Sequence, residues 1–448
     1  MLFLIILIGV LFVVLATAKL KLHPFIALLL AAFFVGIASG MPLMTVVESV
    51  NTGFGGLMTS IGIVIVAGTI IGTVLEKSGA AYRMAEVVLR VVGPKRPQLA
   101  MSLIGYIVSI PVFCDSGFII LNSLKKALAK RAAVTVASMA IALATGLFAT
   151  HVLVPPTPGP IAAAGNIGAA DYLGTIIIIG LIIAIPAVLV GYIWATKVGT
   201  KIRTEQDDEP TLEYEEIIKS FGKMPSTFKA FLPIVLPIVL IGIGSAAALI
   251  GDADSSFNTF LRFLGSPTVA LLLGVFASFS LLPEFSERTL TDWIGESLKD
   301  AAPILLITGA GGSFGTVIKN SGVGDLIQEM DLSAFSSGAL FLIVPFIIAA
   351  ALKTAQGSST TALVITSTLV APLLPTLGIE GAVPLALVVM AIGAGAMTVS
   401  HVNDSFFWVI TQYSGLKLPQ AYKAITVSTL LMGITTIVVT MIAWVILV

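Results

Sequence analysis

The residues of this chain that could do chemistry are few, and they gather in four places. Ile110-Pro-Val-Phe-Cys-Asp-Ser-Gly-Phe118 and Lys353-Thr-Ala-Gln-Gly-Ser-Ser-Thr-Thr361 each concentrate Gly, hydroxyl and amide groups inside an otherwise apolar stretch. His151-Val-Leu-Val-Pro-Pro-Thr-Pro-Gly-Pro160 and Ser400-His-Val-Asn-Asp-Ser405 add two histidines, a carboxylate and a run of prolines. Such side chains suit hydrogen bonding to a small polar solute and the carriage of a proton. The candidate solute contacts are Asp115, Ser116, Gly117, His151, Thr157, Gln356, Gly357, Ser358, Ser359, Thr360, His401, Asn403 and Ser405; the candidate proton carriers are Asp404, then Asp115, His401 and His151. Each has an ordinary alternative: a carboxylate can cap a helix, and a histidine can be packing material.

The elements that must hold these groups are membrane helices. With 57% hydrophobic and 11% charged residues and a mean hydropathy of +1.06, the chain is far from a soluble domain, whose charged fraction is about 25%. Net charge is zero, which gives no reason to expect a nucleic-acid partner. A single cysteine, Cys114, excludes an intrachain disulfide, and three histidines beside it offer no metal-ligand spacing. With no nucleotide-binding glycine motif either, neither cofactor, metal nor enzymatic activity is expected. Leu2 to Thr17 lacks a preceding basic region and a following cleavage site, and is expected to stay as the first membrane helix.

Apolar runs long enough to cross a bilayer occur near 2–18, 24–40, 60–76, 132–150, 173–195, 229–250, 267–282, 303–319, 381–400 and 424–447. Two further stretches, 97–128 and 335–375, carry polar tips with helix breakers at their centres and read as re-entrant hairpins. Backbone that leaves the helix at membrane depth survives only when buried in protein or lining a watery cavity, so the tips point to a solute site. The same logic breaks the helix at the prolines, with resumption expected at about Ile161. Half-helix amino termini meeting there would carry about half a positive charge each and suit an anion.

The chain also repeats. Gly72-Thr-Val-Leu-Glu-Lys-Ser-Gly79 reads onto Gly315-Thr-Val-Ile-Lys-Asn-Ser-Gly322, the same offset carries Asp115 onto Ser358, and Thr150-His-Val152 pairs with Ser400-His-Val402 at a nearly equal one. The expected fold is therefore all-α and polytopic, with two inverted repeats of about five transmembrane helices, one hairpin and one broken helix each. The first repeat covers 1–196 (scaffold 1–60, transport part 60–196 with hairpin 97–128). A cytoplasmic linker follows at 197–229, with a short helix at Leu212 to Ser220, and the second repeat covers 230–448 (hairpin 335–375, broken helix 381–413). With both termini outside, every Lys and Arg falls inside except Arg262, Lys319 and Lys353, as the positive-inside rule requires. Arg83 to Arg96 and Glu284 to Asp300 read as amphipathic interfacial helices.

FCDSGF, THVLVPPTPGP, AQGSST and SHVNDSFFW resemble the gluconate:proton symporter family within the ion transporter superfamily, over essentially the whole chain. The resemblance implies a permease of the bacterial cytoplasmic membrane that takes up gluconate or a related small hydroxy acid with protons. It further implies a homodimer among membrane lipids, working as an elevator. The neutral donors Ser116, Gly117, Gly357, Ser358, Ser359, Thr360, Asn403 and Ser405 would then serve a polyhydroxylated acid. Asp404, whose repeat mate is the apolar Val154, leads as proton site, because a neutralised carboxyl no longer repels an anion. Lys353 is expected to snorkel outward or to meet the substrate carboxylate, Cys114 to pack beside the tip, and Phe406, Phe407 and Trp408 to face lipid or pack. Sodium-coupled carboxylate transport stays open as the alternative.

Overall fold

The computed structural model describes residues 2–93, 96–207, 224–250, 255–322, 338–402 and 404–448. Its helices, in chain order, are α1 (Leu2–Ala18), α2 (Pro24–Ala38), α3 (Leu43–Leu57), α4 (Ile63–Lys77), α5 (Ala80–Val92), α6 (Pro97–Val108), α7 (Cys114–Ile120), α8 (Asn122–Arg131), α9 (Val136–Leu153) and α10 (Pro158–Asn166). They continue with α11 (Leu173–Lys197), α12 (Thr227–Ile250), α13 (Ser256–Leu264), α14 (Pro267–Phe279), α15 (Trp293–Asn320), α16 (Ile343–Gln356), α17 (Ser359–Val370), α18 (Ala382–Met397) and α19 (Ser405–Tyr413). The last, α20 (Leu418–Leu447), runs through a short π turn. No strand occurs among the described residues.

Six helical stretches of the described chain are long and apolar enough to cross a membrane, or seven if the bent pair α13–α14 is one span. That is fewer full-length crossings than the ten apolar runs suggested, because several runs form shorter helices that stop at breaks. Other boundaries differ as well. α3 and α4 join through a π turn at Met58–Gly62 into one stretch, Leu43–Lys77, so the run near 60–76 extends backward over residues too polar on one face to read as a span. Residues 289–320 form one stretch rather than an interfacial helix followed by a span. After the prolines the helix resumes at Pro158, not Ile161. A first-turn proline gives up an N–H that has no intrahelical partner anyway, so Pro158 and Pro160 start the helix instead of delaying it. The expected helix at Leu212 to Ser220 lies outside the described residues.

The centre of the molecule is built from helices that are buried all round, their few polar side chains being mostly Ser and Thr. Every residue of α9 is buried, as are α18 from Leu385 to Met397 and nearly all of α17. A helix with no polar face has to be enclosed by protein or lipid, and here α6, α11 and α18 enclose α9. The outer helices show the complementary pattern. On α11, Ile178, Ile182, Ile185, Leu189 and Ile193 are exposed at helical spacing, and on α20 so are Leu430, Ile434, Val438 and Ile442.

Small residues let the helices approach closely, as is usual where lipid removes any hydrophobic drive for association. At the α6–α9 crossing Gly105 and Gly146 face each other's backbone, and a Cβ on Gly146 would collide with the Ser102 carbonyl. By contrast a Cβ on Gly55 would meet nothing. Gly146→Ala is therefore expected to destabilise the fold by about 1–3 kcal/mol through overpacking, whereas Gly55→Ala gains up to about 1 kcal/mol of helix propensity. Thermal unfolding of the purified variants in one detergent measures both; equal midpoints would contradict this packing.

Candidate functional site

Three helix interruptions, and the end of α9 just before the fourth, converge on one cavity of about 270 Å³, lined by Phe113, Cys114, Asp115, Phe148, His151, Gln356, Gly357, Ser358, Ser359, Thr360, Asp404, Ser405 and Phe406. This lies near the small end of the range for small-molecule sites. Each interruption satisfies its own freed backbone groups. Between α6 and α7, Ser109 is buried and its hydroxyl donates to the Val112 carbonyl at 2.9 Å. Between α9 and α10, Thr157 donates to the Val154 carbonyl at 2.6 Å.

Between α16 and α17 the chain turns at Gly357, whose φ of +88° lies in the region that glycine adopts most readily. Ser358 then caps α17, accepting from the Thr361 amide at 3.2 Å. Between α18 and α19, Val399 takes a positive φ, and the Ser400 carbonyl and amide are tied to Thr426 and Thr429 of α20 at 2.6 and 3.1 Å. Asp404 caps α19, its Oδ1 accepting from the Phe406 amide at 3.1 Å. The amino termini of α17 and α19 thus both face the cavity, bringing the partial positive charge of helix starts to it.

One ion pair joins the two later breaks. Lys353, near the end of α16, places its ammonium 2.6 Å from Asp404 Oδ2 with both side chains buried. The same ammonium donates to the Gly357 carbonyl, and Ser400 donates its hydroxyl to the same carboxylate oxygen. Lys353 therefore does not snorkel outward, contrary to the expectation, because α19 brings a counter-charge to it. Lys125, counted among the cations of the inner loops, is also fully buried.

Asp115, in the first turn of α7, has no such partner. It accepts from Ser405 at 3.3 Å and from the Cys114 thiol at 3.7 Å, and no Lys or Arg pairs with it among the described residues. Two further polar atoms on the wall are buried with no partner at all: Gln356 Nε2 and His151 Nδ1. Buried polar atoms are nearly always satisfied; unpartnered ones also occur away from the cavity, at Ser102, Thr308 and Thr366 among others, so these two point to a polar solute only together with the cavity they border. The Ser359 and Thr360 hydroxyls stand beside them.

Most of the sequence candidates therefore share this cavity, and several do not. His401 lies off it, with Nε2 2.8 Å from the Thr354 carbonyl; the second break is longer than the first, so His401 falls in irregular chain while His151 keeps its place in the last turn of α9. Thr157 is buried with its hydroxyl already committed. Gly117 packs on Leu147, and Ser116 turns to Glu76. Asn403 lies outside the described residues.

Sequence reasoning missed the aromatic wall. Phe148 and Phe406 stack at 5.5 Å, and Phe113 lies 5.8 Å from His151. Phe406, expected to pack or face lipid, lines the cavity instead. Its position two residues after Asp404, and that of Phe148 three residues before His151 on one helix face, were the available signals. No group of three or more His, Cys, Asp or Glu side chains gathers among the described residues. Carboxylates, a histidine, an amide, hydroxyls and helix amino termini around a cavity of this size can bind a small polar acid and hold a proton.

Comparison with known proteins agrees with that chemistry. The sequence matches the GntP family permeases over residues 1–446. It is 34% identical over 418 residues to a gluconate permease of Pseudomonas aeruginosa, covering 91% of this chain and 90% of that one. It is 32% identical over 432 residues to the D-serine transporter DsdX of Escherichia coli, covering 96% and 95%. In fold it is similar to the YdaH transporter of Alcanivorax borkumensis, with a TM-score of 0.66 at 14% identity, covering 94% of this chain and 98% of that one. The chain belongs to the GntP permease family and is a multi-pass membrane transporter, not an enzyme.

Proposed function

We propose that this permease takes up a small hydroxylated acid, gluconate or a close relative, together with protons. The observation that carries the reading is one cavity that brings the unpaired carboxylate of Asp115 together with the polar atoms of Gln356, His151, Ser359 and Thr360 and the amino termini of α17 and α19. A polyhydroxylated acid would engage those atoms through its hydroxyls and present its carboxylate to the amino termini of α17 and α19. The relatives' names support a substrate of this class.

The charges decide where the proton goes. Asp404 is balanced by Lys353, so the wall carries one net negative charge from Asp115, and an anion entering it meets repulsion at short range. A proton on Asp115 removes that repulsion, which makes binding of proton and anion mutually favourable. The sequence placed the carrier first on Asp404. We favour Asp115, the first alternative, because Asp404 is paired with Lys353. The two inverted halves, supported by the repeat motifs, and the homodimer and elevator movement that the family resemblance implies, belong to the same proposal.

Three outcomes test it in proteoliposomes with proton and sodium gradients imposed separately. Ser359→Leu is expected to abolish gluconate uptake with normal expression, because it adds bulk and removes a donor from the cavity wall. Normal uptake would place the substrate elsewhere. Asp115→Asn is expected to keep counterflow exchange and to lose accumulation driven by a pH gradient; continued accumulation would remove the proton from Asp115. Asp404→Asn leaves Lys353 buried without its partner, which costs about 3–5 kcal/mol, so folded yield and exchange should both fall and recover in part with Lys353→Met added. If Asp404→Asn alone kept full exchange and lost only pH-driven accumulation, Asp404 would be the proton site.

A further inference from the structure

Lys125 is a buried cation that none of the preceding chemistry uses. It sits on α8 with no exposed surface, and no Asp or Glu pairs with it among the described residues. Its ammonium donates to the Tyr413 carbonyl at 3.0 Å and to the Ser414 hydroxyl at 2.8 Å. It also lies 4.7 Å from the centroid of the Phe118 ring. Tyr413 is the last residue of α19 and Ser414 follows it, so the lysine caps the negative end of that helix dipole.

The other end of α19 is Asp404, held by Lys353. A second set of contacts runs parallel to the helix. The Phe118 ring meets Phe406 edge-on at 6.2 Å, Phe406 stacks on Phe148 at 5.5 Å, and the Lys353 ammonium lies 5.5 Å from the Phe148 centroid. Two buried lysines thus grip α19 at opposite ends, and two of the three rings between them, Phe148 and Phe406, line the cavity. Lys125 reaches neither the cavity nor Asp404.

We propose that Lys125 is a positioning residue for transport: by clamping the carboxyl end of α19 to α8 it sets the depth of Asp404, Ser405 and Phe406 in the cavity. This rests on the cavity being the transport site. Stability alone does not account for the lysine, because a lone buried ammonium carries a desolvation cost that its two hydrogen bonds only partly return. Placement does, since small displacements of site-forming groups cost about 10- to 100-fold in affinity or rate.

The test is Lys125→Met, which keeps the stem and removes the donors and the charge. Three quantities are measured in one preparation: the thermal midpoint, KM and maximal rate of gluconate and D-serine exchange, and the rate at which a membrane-permeant maleimide alkylates Cys114 without substrate. Cys114 is the chain's single cysteine and lies in the cavity wall, so its reactivity reports wall geometry whatever the substrate is. The expected result is a midpoint that shifts by only a few degrees, the lost hydrogen bonds offsetting the relieved desolvation, KM raised about tenfold and a several-fold change in the alkylation rate. An unchanged KM and alkylation rate overturn the proposal. So does a markedly lowered midpoint with exchange lost in proportion, which would make Lys125 structural. If the Met variant does not reach the membrane, the same measurements on Lys125→Gln, which retains a donor for the Tyr413 carbonyl, decide. Should the wild type exchange neither solute, the functional reading fails, while the alkylation comparison still judges the clamp.

Discussion

A charge taken out of water must find its compensation inside the protein, and the Lys353–Asp404 pair is where this molecule meets that demand. Desolvating two ions costs several kcal/mol each, which their attraction repays only when further hydrogen bonds complete the geometry. Those bonds are present. Gly357 O accepts from the ammonium, and Ser400 and the Phe406 amide donate to the carboxylate. Each of these partners belongs to a helix break, so the pair can form only if α16, α17, α18 and α19 interrupt where they do. In return the pair ties the α16–α17 turn to the α18–α19 turn and gives the cavity a fixed floor.

The packing around that floor follows from the solvent. Lipid gives helices no hydrophobic reason to associate, so contact depends on close backbone approach. Glycines supply it at several crossings, Gly105 against Gly146 and Gly53 against Gly312 among them. The wholly buried α9 carries His151 and Phe148 on its last two turns. Because α9 is fixed on every side by α6, α11 and α18, these two residues sit in a rigid wall, opposite turns whose tips, at Ser358 and Ser405, are exposed.

Much of this was legible in the sequence, for stated reasons. Gly357, the four prolines after His151 and the Asn-Asp-Ser run had no comfortable place in a membrane helix, and each marks a break in the structure. Asp115, His151 and residues 356–360 followed from those breaks. Three-dimensional pairing was not legible. Lys353 and Asp404 are 51 residues apart, and nothing in either local sequence names the other. Nor did repeat symmetry transfer to side-chain roles: His151 and His401 occupy matched positions, yet only His151 reaches the cavity, because the second break holds more residues than the first. Boundaries such as Pro158 slipped where a proline starts a helix rather than ending one.

The unequal treatment of the two carboxylates has a chemical consequence for which acids the cavity can hold. Asp404 is already balanced by Lys353, so on the proposed reading it contributes geometry and no net charge. On the proposed reading Asp115 is the variable term. An aldonate brings one negative charge and nothing to offset Asp115, so it needs the proton there. A zwitterionic amino acid brings its own ammonium, which can pair with an ionised Asp115 while its carboxylate faces the helix amino termini. The same wall could then accept either class by changing only the protonation of one residue, with Gln356 and the hydroxyls of Ser359 and Thr360 left to read the neutral part of the solute. Selectivity between the classes would depend less on the size of the cavity than on whether Asp115 is charged when the solute arrives.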